Sequence, residues 1–349
     1  MNYRKRKLIR LRKTLTVFLL CILLLVGFRY LSPLNANHLA SFIEANFKSF
    51  SLATLLSSQV TSTSINSSAI SASTSSDSSP STHITQGVSY VLVDPEANQI
   101  LKSQNADLHR APASTLKLLT GLIAEENLKE TDIIRVGKEV NIEGSKLGLS
   151  PGDEISVQNL LTALYVHSAN DAAAALAVKI SGSIPEFAQK MNNYASTTLG
   201  CQDSHFTNPH GLPDPDQYTT AKDLSIIANH FVQNEKLMKY VQKTSAQVQW
   251  KDVQGKSHNA DLQNTNLLLR VYPGDLGLKT GTTTEAGQCL VSYVKRPDGE
   301  LLLVLLGSEQ RYKDSITLLD ETWAEQRSAA ALRGLSKDPK SLISSPGIF

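Results

Sequence analysis

Along this 349-residue chain the rhythm of apolar positions changes from region to region. Leu15 to Phe28 is a nearly continuous apolar run. Residues 32 to about 50 mix polar and apolar positions and predict a short helix after that run. From Ser57 to Thr85 the chain is almost a Ser/Thr tract, too poor in apolar surface to offset its ordering entropy, and reads as a flexible tether. Alternation then begins. Val88 to Asp94 predicts a strand, Pro95 to Asn98 a turn, and Gln99 to Ser103 the returning strand. Pro112 opens a helical run through Leu116, Leu119 and Ile123. Leu160, Leu161, Leu164 and Tyr165 form one apolar helix face after a turn at Ser150 to Asp153. Helices follow at Asp171 to Ile180, Pro185 to Leu199 with Gly200 as its cap, and Leu224 to Phe231. The last third returns to strands at Leu276 to Thr280, Gln288 to Lys295 and Leu301 to Gly307. Pro297-Asp298-Gly299 marks a hairpin, and Ser315 to Leu332 closes as a helix.

The order of strands, a helical middle, strands and a terminal helix predicts an α+β domain with one antiparallel sheet built from both ends of the folded region. The expected organisation is a basic segment at 1–13, an apolar segment at 14–31, a tether at 32–86, a folded domain at 87–335 and a tail at 336–349.

Charge changes the picture at one end only. The first thirteen residues carry seven Lys or Arg and no acid; taking seven from the formal +2 leaves −5 for the rest. Nucleic-acid binding thereby loses its support. A basic start followed by an apolar run is an export signal. The run is short of the roughly 20 residues that span a bilayer comfortably. No convincing small-residue cleavage site follows it, so it reads as an uncleaved anchor with the rest of the chain exported; a cleaved signal peptide is the alternative. Cys201 and Cys289 read as separate buried thiols rather than a disulfide.

The candidate chemistry lies in three short motifs in one order: Ser114-Thr115-Leu116-Lys117, Ser168-Ala169-Asn170 and Lys279-Thr280-Gly281. Each is weak alone. Ser292-Tyr293-Val294-Lys295 repeats the first pattern within a strand, and Ser64-Ile65-Asn66 and Ser257-His258-Asn259 repeat the second without a helix to present them. On a helix, positions i and i+3 share a face, so Lys117 can reach the Ser114 hydroxyl. A serine needs a base, and a lysine is one only when neutral. Burial and a second cation such as Lys279 would both favour that form. Ser168 can relay a proton, and Asn170 offers a donor and an acceptor; both are equally good helix N-caps before Asp171. Gly281 lets a ligand backbone lie close, while Lys279 with the hydroxyls of Thr280 and Thr282 can hold a carboxylate. The backbone N–H groups of Ser114 and Thr282 could form an oxyanion hole. His205 and His210 lack metal-ligand spacing, and no cofactor fingerprint is present, so neither metal nor cofactor is expected.

With its flanking phrases Ala111-Pro112-Ala113, His167, Asp171-Ala172-Ala173, Thr207 to Leu212 and Gly277-Leu278, the chain resembles the serine D-Ala-D-Ala carboxypeptidases, the low-molecular-mass penicillin-binding proteins of peptidase family S11. The resemblance covers about Gly87 to Ala329. It implies a β-lactamase/transpeptidase-like fold, an antiparallel sheet flanked by helices with an all-helical subdomain. It implies Ser114 as acyl-ester nucleophile, Lys117 as proton acceptor, Ser168 as second catalytic serine and Lys279 as substrate-binding. The expected partners are a peptidoglycan stem peptide, β-lactams as covalent inhibitors, and the membrane through the N-terminal segment. Many family members carry a C-terminal β-rich domain and a membrane helix; the 17 residues after Leu332 have no room for them, so attachment is expected at the N-terminus.

Three rival readings share parts of the signature. A β-lactamase often relies on a Glu-x-x-Asn element after the second motif, and none stands between Ser168 and Lys279. A D,D-endopeptidase cutting cross-links is barely separated by sequence. A non-catalytic β-lactam sensor has no need of both lysines.

Overall fold

The computed structural model describes Ile84 and residues 86–334. The expected basic segment, apolar run, tail and nearly all of the tether fall outside those residues. The first hairpin forms as its alternation predicts, with β1 (Ser89–Asp94) antiparallel to β2 (Gln99–Gln104). The C-terminal strands β7 (Asp275–Thr283), β8 (Gly287–Arg296) and β9 (Gly299–Ser308) join it in a five-stranded antiparallel sheet of order β2-β1-β9-β8-β7. The two ends of the folded region thus meet where Val91 pairs with Val304. β7 closes one edge of this sheet.

β9 shows how the sheet is buried. Leu301, Leu303 and Leu305 pack in one apolar cluster with Leu318, Leu319 and Trp323 of the terminal helix α8 (Arg311–Gly334). The alternate residues Leu302, Val304 and Leu306 join the main cluster on the other face. That cluster includes Leu119 and Ile123 of α1 (Lys117–Asn127) and Ile227 and Ala228 of α5 (Ala221–Val232). A period of two sends successive side chains to opposite faces, so an unbroken apolar run is what a sheet between two helical layers requires.

The helical middle comprises α2 (Val157–Val166), α3 (Asn170–Ser181) and α4 (Ile184–Asn193), the last running into a π-helical turn at Tyr194–Thr198. Side chains cap several starts: Ser156 for α2, Ser183 for α4, Thr220 for α5 and Asn234 for α6 (Glu235–Val241). α3 buries Ala172 to Ala177 almost completely, because small side chains let it lie close among α1, α2 and α4. The expected antiparallel sheet, flanking helices and helical subdomain are all present. A second, four-stranded antiparallel sheet was not foreseen: β3 (Ile133–Arg135), β4 (Glu154–Ser156), β5 (Ser245–Lys251) and β6 (Ser257–Gln263), in that order. Two of its strands are three residues long, and the other two are mostly exposed polar sequence. Ser257 therefore lies in a strand. Cys201 and Cys289 are free and buried, their thiols pushed up to about 12 and about 11 by burial, and they pack as small apolar groups.

Candidate active site

Ser114 sits in a single 3-10 turn, Ala113–Leu116, that runs straight into α1 at Lys117. Ala113 in this turn has φ +48°, a backbone region unfavourable to residues with a Cβ. Two neighbours hold it there. A Cβ placed on Gly211 would come within 1.9 Å of the Ala113 carbonyl oxygen, and one on Gly281 within 2.9 Å of the Ser114 nitrogen. Only glycine lets both strands of chain approach so closely.

The turn and helix together bring Lys117 Nζ 2.7 Å from Ser114 Oγ. The amine also donates to Asn170 Oδ1 at 2.8 Å and to the His210 carbonyl at 2.5 Å. Lys117 is wholly buried and has no carboxylate partner in hydrogen-bond contact. Burial holds its pKa well below the ordinary lysine value, and the charge of Lys279 pushes the same way. The His210 imidazole, also buried, is pushed down to about 3 by desolvation and by Lys117, so it is neutral in ordinary buffers.

The second motif links α2 to α3. Ser168 takes the left-handed conformation, φ +62°, between the helices. The N-cap alternative for Ser168 and Asn170 fails: Ala169 is the N-cap residue, and no side chain caps the helix. Asn170 instead spends Oδ1 on Lys117, Nδ2 on the Glu143 carbonyl at 2.7 Å, and its backbone N–H on the Ser145 carbonyl at 2.7 Å. Asp171 is buried with no ion pair among the described residues, and its carboxylate accepts from the backbone N–H groups of Leu147, Gly148 and Leu149 at 2.9, 2.8 and 3.1 Å. The motif thereby also fastens the 143–149 loop over one side of the site.

The third motif lies on the edge strand β7. Lys279 is buried and donates to the Thr280 carbonyl at 2.9 Å; its pKa is pushed down to about 7, first by burial and then by Arg311. Thr280 Oγ1 lies 2.6 Å from Thr265 Oγ1. Arg311, the first residue of α8, donates to the carbonyls of Gly281 and Cys289 at 2.8 and 2.9 Å and to the Thr282 hydroxyl. Arg311 has no local motif around it in the sequence. Only a cationic residue opening the terminal helix beside the sheet could have drawn notice.

One cavity of about 250 Å³ opens between these elements, lined by Ser114, Ser168, Asn170, Thr280, Gly281 and Thr282 among others. Arg311 adds positive charge, and no Asp or Glu lines the cavity. Six of the eight residues singled out from sequence thus share one groove. Lys117 and Lys279 lie buried outside its wall. Chemically, the site offers a hydroxyl beside an amine with a depressed pKa, a second hydroxyl, and a cationic end suited to an anionic ligand.

A family model described as D-alanyl-D-alanine carboxypeptidase, Peptidase S11, matches residues 74–310. The D-alanyl-D-alanine carboxypeptidase DacF of Bacillus subtilis is 33% identical over 233 residues, 63% of this chain and 57% of its own length. DacB2 of Mycobacterium tuberculosis is 30% identical over 243 residues, 66% of this chain and 80% of its own. The chain spans little more than half the length of several such relatives. Among solved structures, the Streptomyces K15 DD-transpeptidase superposes with a TM-score of 0.65 at 28% identity, covering 69% of this chain and 98% of that one.

Proposed function

The chain belongs to the S11 family of D-alanyl-D-alanine carboxypeptidases, and from that premise we propose that it is a serine D-Ala-D-Ala carboxypeptidase acting on peptidoglycan stem pentapeptides. The observation that carries this reading is the 2.7 Å approach of a buried, charge-depleted Lys117 to Ser114 beside a cavity without acids.

The terminal D-Ala carboxylate sits at the Thr280, Thr282 and Arg311 end of the groove, where charge-assisted hydrogen bonds favour it and the buried Lys279 adds positive charge. Lys117 takes the Ser114 proton, and Oγ attacks the carbonyl of the penultimate D-Ala. The N–H groups of Ser114 and Thr282 stabilise the oxyanion. As the C–N bond breaks, Ser168 relays the proton from the Lys117 ammonium to the departing amine of the terminal D-Ala, which returns Lys117 to its neutral form. Water then hydrolyses the ester on Ser114. β-Lactams acylate the same oxygen and act as covalent inhibitors. Each step uses only this chain's own residues. We also propose that the basic and apolar N-terminal residues anchor the chain in the membrane, with residues 87–335 on its outer face.

The test is mass spectrometry of the protein after penicillin and, separately, after a D-Ala-D-Ala pentapeptide. The expected result is one acyl group on Ser114 and release of one D-alanine. In Ser114→Ala both fall by at least about 10³-fold while the fold survives. Release that persists in that variant would overturn the assignment.

A further inference from the structure

A lysine ammonium has three hydrogens and no lone pair; the neutral amine has two hydrogens and one lone pair. Three oxygens surround Lys117 Nζ. The His210 carbonyl and Asn170 Oδ1 can only accept, whereas Ser114 Oγ can accept or donate. Asn170 cannot exchange its oxygen for its nitrogen, because Nδ2 is committed to the Glu143 carbonyl. The Ser114 hydroxyl has one other acceptor within reach, the His210 carbonyl at 3.5 Å, so Nζ at 2.7 Å is the nearer partner for its hydrogen, and a neutral Nζ then satisfies all three oxygens. Its two N–H bonds go to His210 and Asn170, and its lone pair meets the Ser114 hydroxyl hydrogen.

That arrangement needs the His210 carbonyl to be aimed, and a buried clamp aims it. Asn208 Oδ1 accepts from the backbone N–H groups of His210 and Gly211 at 3.3 and 2.8 Å. Its Nδ2 donates to the Leu212 carbonyl at 3.1 Å. Gln217 donates to that same carbonyl at 2.9 Å and accepts from the Asn208 N–H at 3.3 Å. Thr120, one turn beyond Lys117 on α1, donates to the Pro209 carbonyl at 2.7 Å. Two side chains of one helix thus hold two consecutive carbonyls of the loop. Asn208, Gln217 and Thr120 are all buried, and none of them lines the cavity.

We propose that Asn208, Gln217 and Thr120 are positioning residues for the first proton transfer: by aiming the His210 carbonyl at Lys117 they turn the Nζ lone pair toward Ser114. This rests on the serine-acylation reading above. In the step, the Oγ–H bond breaks and its hydrogen joins the Nζ lone pair. The oxygen electron pair forms the bond to the substrate carbonyl carbon as the carbonyl π pair moves onto its own oxygen, and Lys117 becomes an ammonium whose third N–H faces the newly bonded Ser114 oxygen.

The experiment is stopped-flow acylation by a fluorescent penicillin, which separates non-covalent affinity from the acylation rate, with thermal melts on every variant. A misaimed base costs rate, not binding. Asn208→Ala and Thr120→Val are each expected to slow acylation by about 10²-fold with affinity held within about threefold. Asn208→Asp keeps the oxygen that accepts from the His210 and Gly211 N–H groups and loses the donation to the Leu212 carbonyl, which Gln217 still serves. It is expected to restore the alkaline plateau to within about fivefold and to move the acid limb to higher pH, since its charge favours the ammonium. Thr120→Val is isosteric and covers the case in which Asn208→Ala does not fold. Wild-type acylation rates in the folded variants, or equal losses of rate and affinity, overturn the proposal. A wild-type protein that gives no acyl-Ser114 overturns the functional reading and this one together.

Discussion

The α-carbon of Gly281 faces the backbone nitrogen of Ser114 so closely that a Cβ at 281 would lie 2.9 Å from it. The same added carbon would stand 2.9 Å from Ala113 Cβ and 3.2 Å from the Thr115 nitrogen. Backbone, not a flexible side chain, is what would have to yield. Gly281→Ala is expected to push β7 from the 3-10 turn and slow acylation about 10²-fold. Acylation kinetics on the folded variant check this, and an unchanged rate would show that the turn and strand move together.

Arg311 joins the carbonyls of Gly281 and Cys289 to the hydroxyl of Thr282. Arg311→Leu is expected to weaken carboxylate ligands by about 10- to 100-fold, the worth of a charged hydrogen bond of about 1.5–3 kcal/mol. Ligands with that carboxylate amidated should bind the variant and wild type alike. Competition binding with the two ligand forms makes the comparison.

Lys279 titrates near 7 in the free protein because burial and Arg311 oppose its charge. The negative charge of an anionic ligand offsets both, so it raises that pKa and binding takes up a proton. Affinity for carboxylate ligands should therefore be full below about pH 7 and fall as pH rises above it. Calorimetry at pH 8 in buffers of different ionisation enthalpy should report uptake. Zero uptake there contradicts the expectation.

Asp171 accepts three loop N–H groups, those of Leu147, Gly148 and Leu149, as well as that of Ala172. Asp171→Ala leaves these donors without their acceptor and is expected to cost about 3 kcal/mol of stability. Cleavage by a non-specific protease should concentrate between 143 and 150. A melting curve and a digest map are the two readouts.

The three motifs were legible because each carries an unusual side-chain combination on a segment of clear periodicity. The five-stranded sheet was legible because Val88 to Asp94 and Leu301 to Gly307 are apolar runs bounded by turns. β5 and β6 do alternate, with Ala246, Val248 and Trp250 in one and Ala260 and Leu262 in the other turned to the core, but so few apolar residues set among Gln247, Gln249, Asn259 and Asp261 make that rhythm faint. Asn170 was ambiguous because one amide suits a helix cap and a lysine equally; the Glu143 carbonyl decides between them. Arg311, Asn208 and Gln217 act through backbone carbonyls and N–H groups, and backbone partners leave no trace in side-chain spacing. The N-terminal anchor and nearly all of the tether expected from the sequence lie outside the described residues.

Full burial of Lys117 has a chemical corollary. An uncharged alkyl amine is a stronger nucleophile than an alcohol, and an amide formed on it would not turn over. Here Lys117 is wholly buried, does not line the groove, and has its Nζ surrounded by Ser114 Oγ, Asn170 Oδ1 and the His210 carbonyl. Under the proposed acyl-transfer reading, such burial keeps the basicity of the amine while denying it electrophiles, and the acyl group goes to an oxygen from which water can remove it.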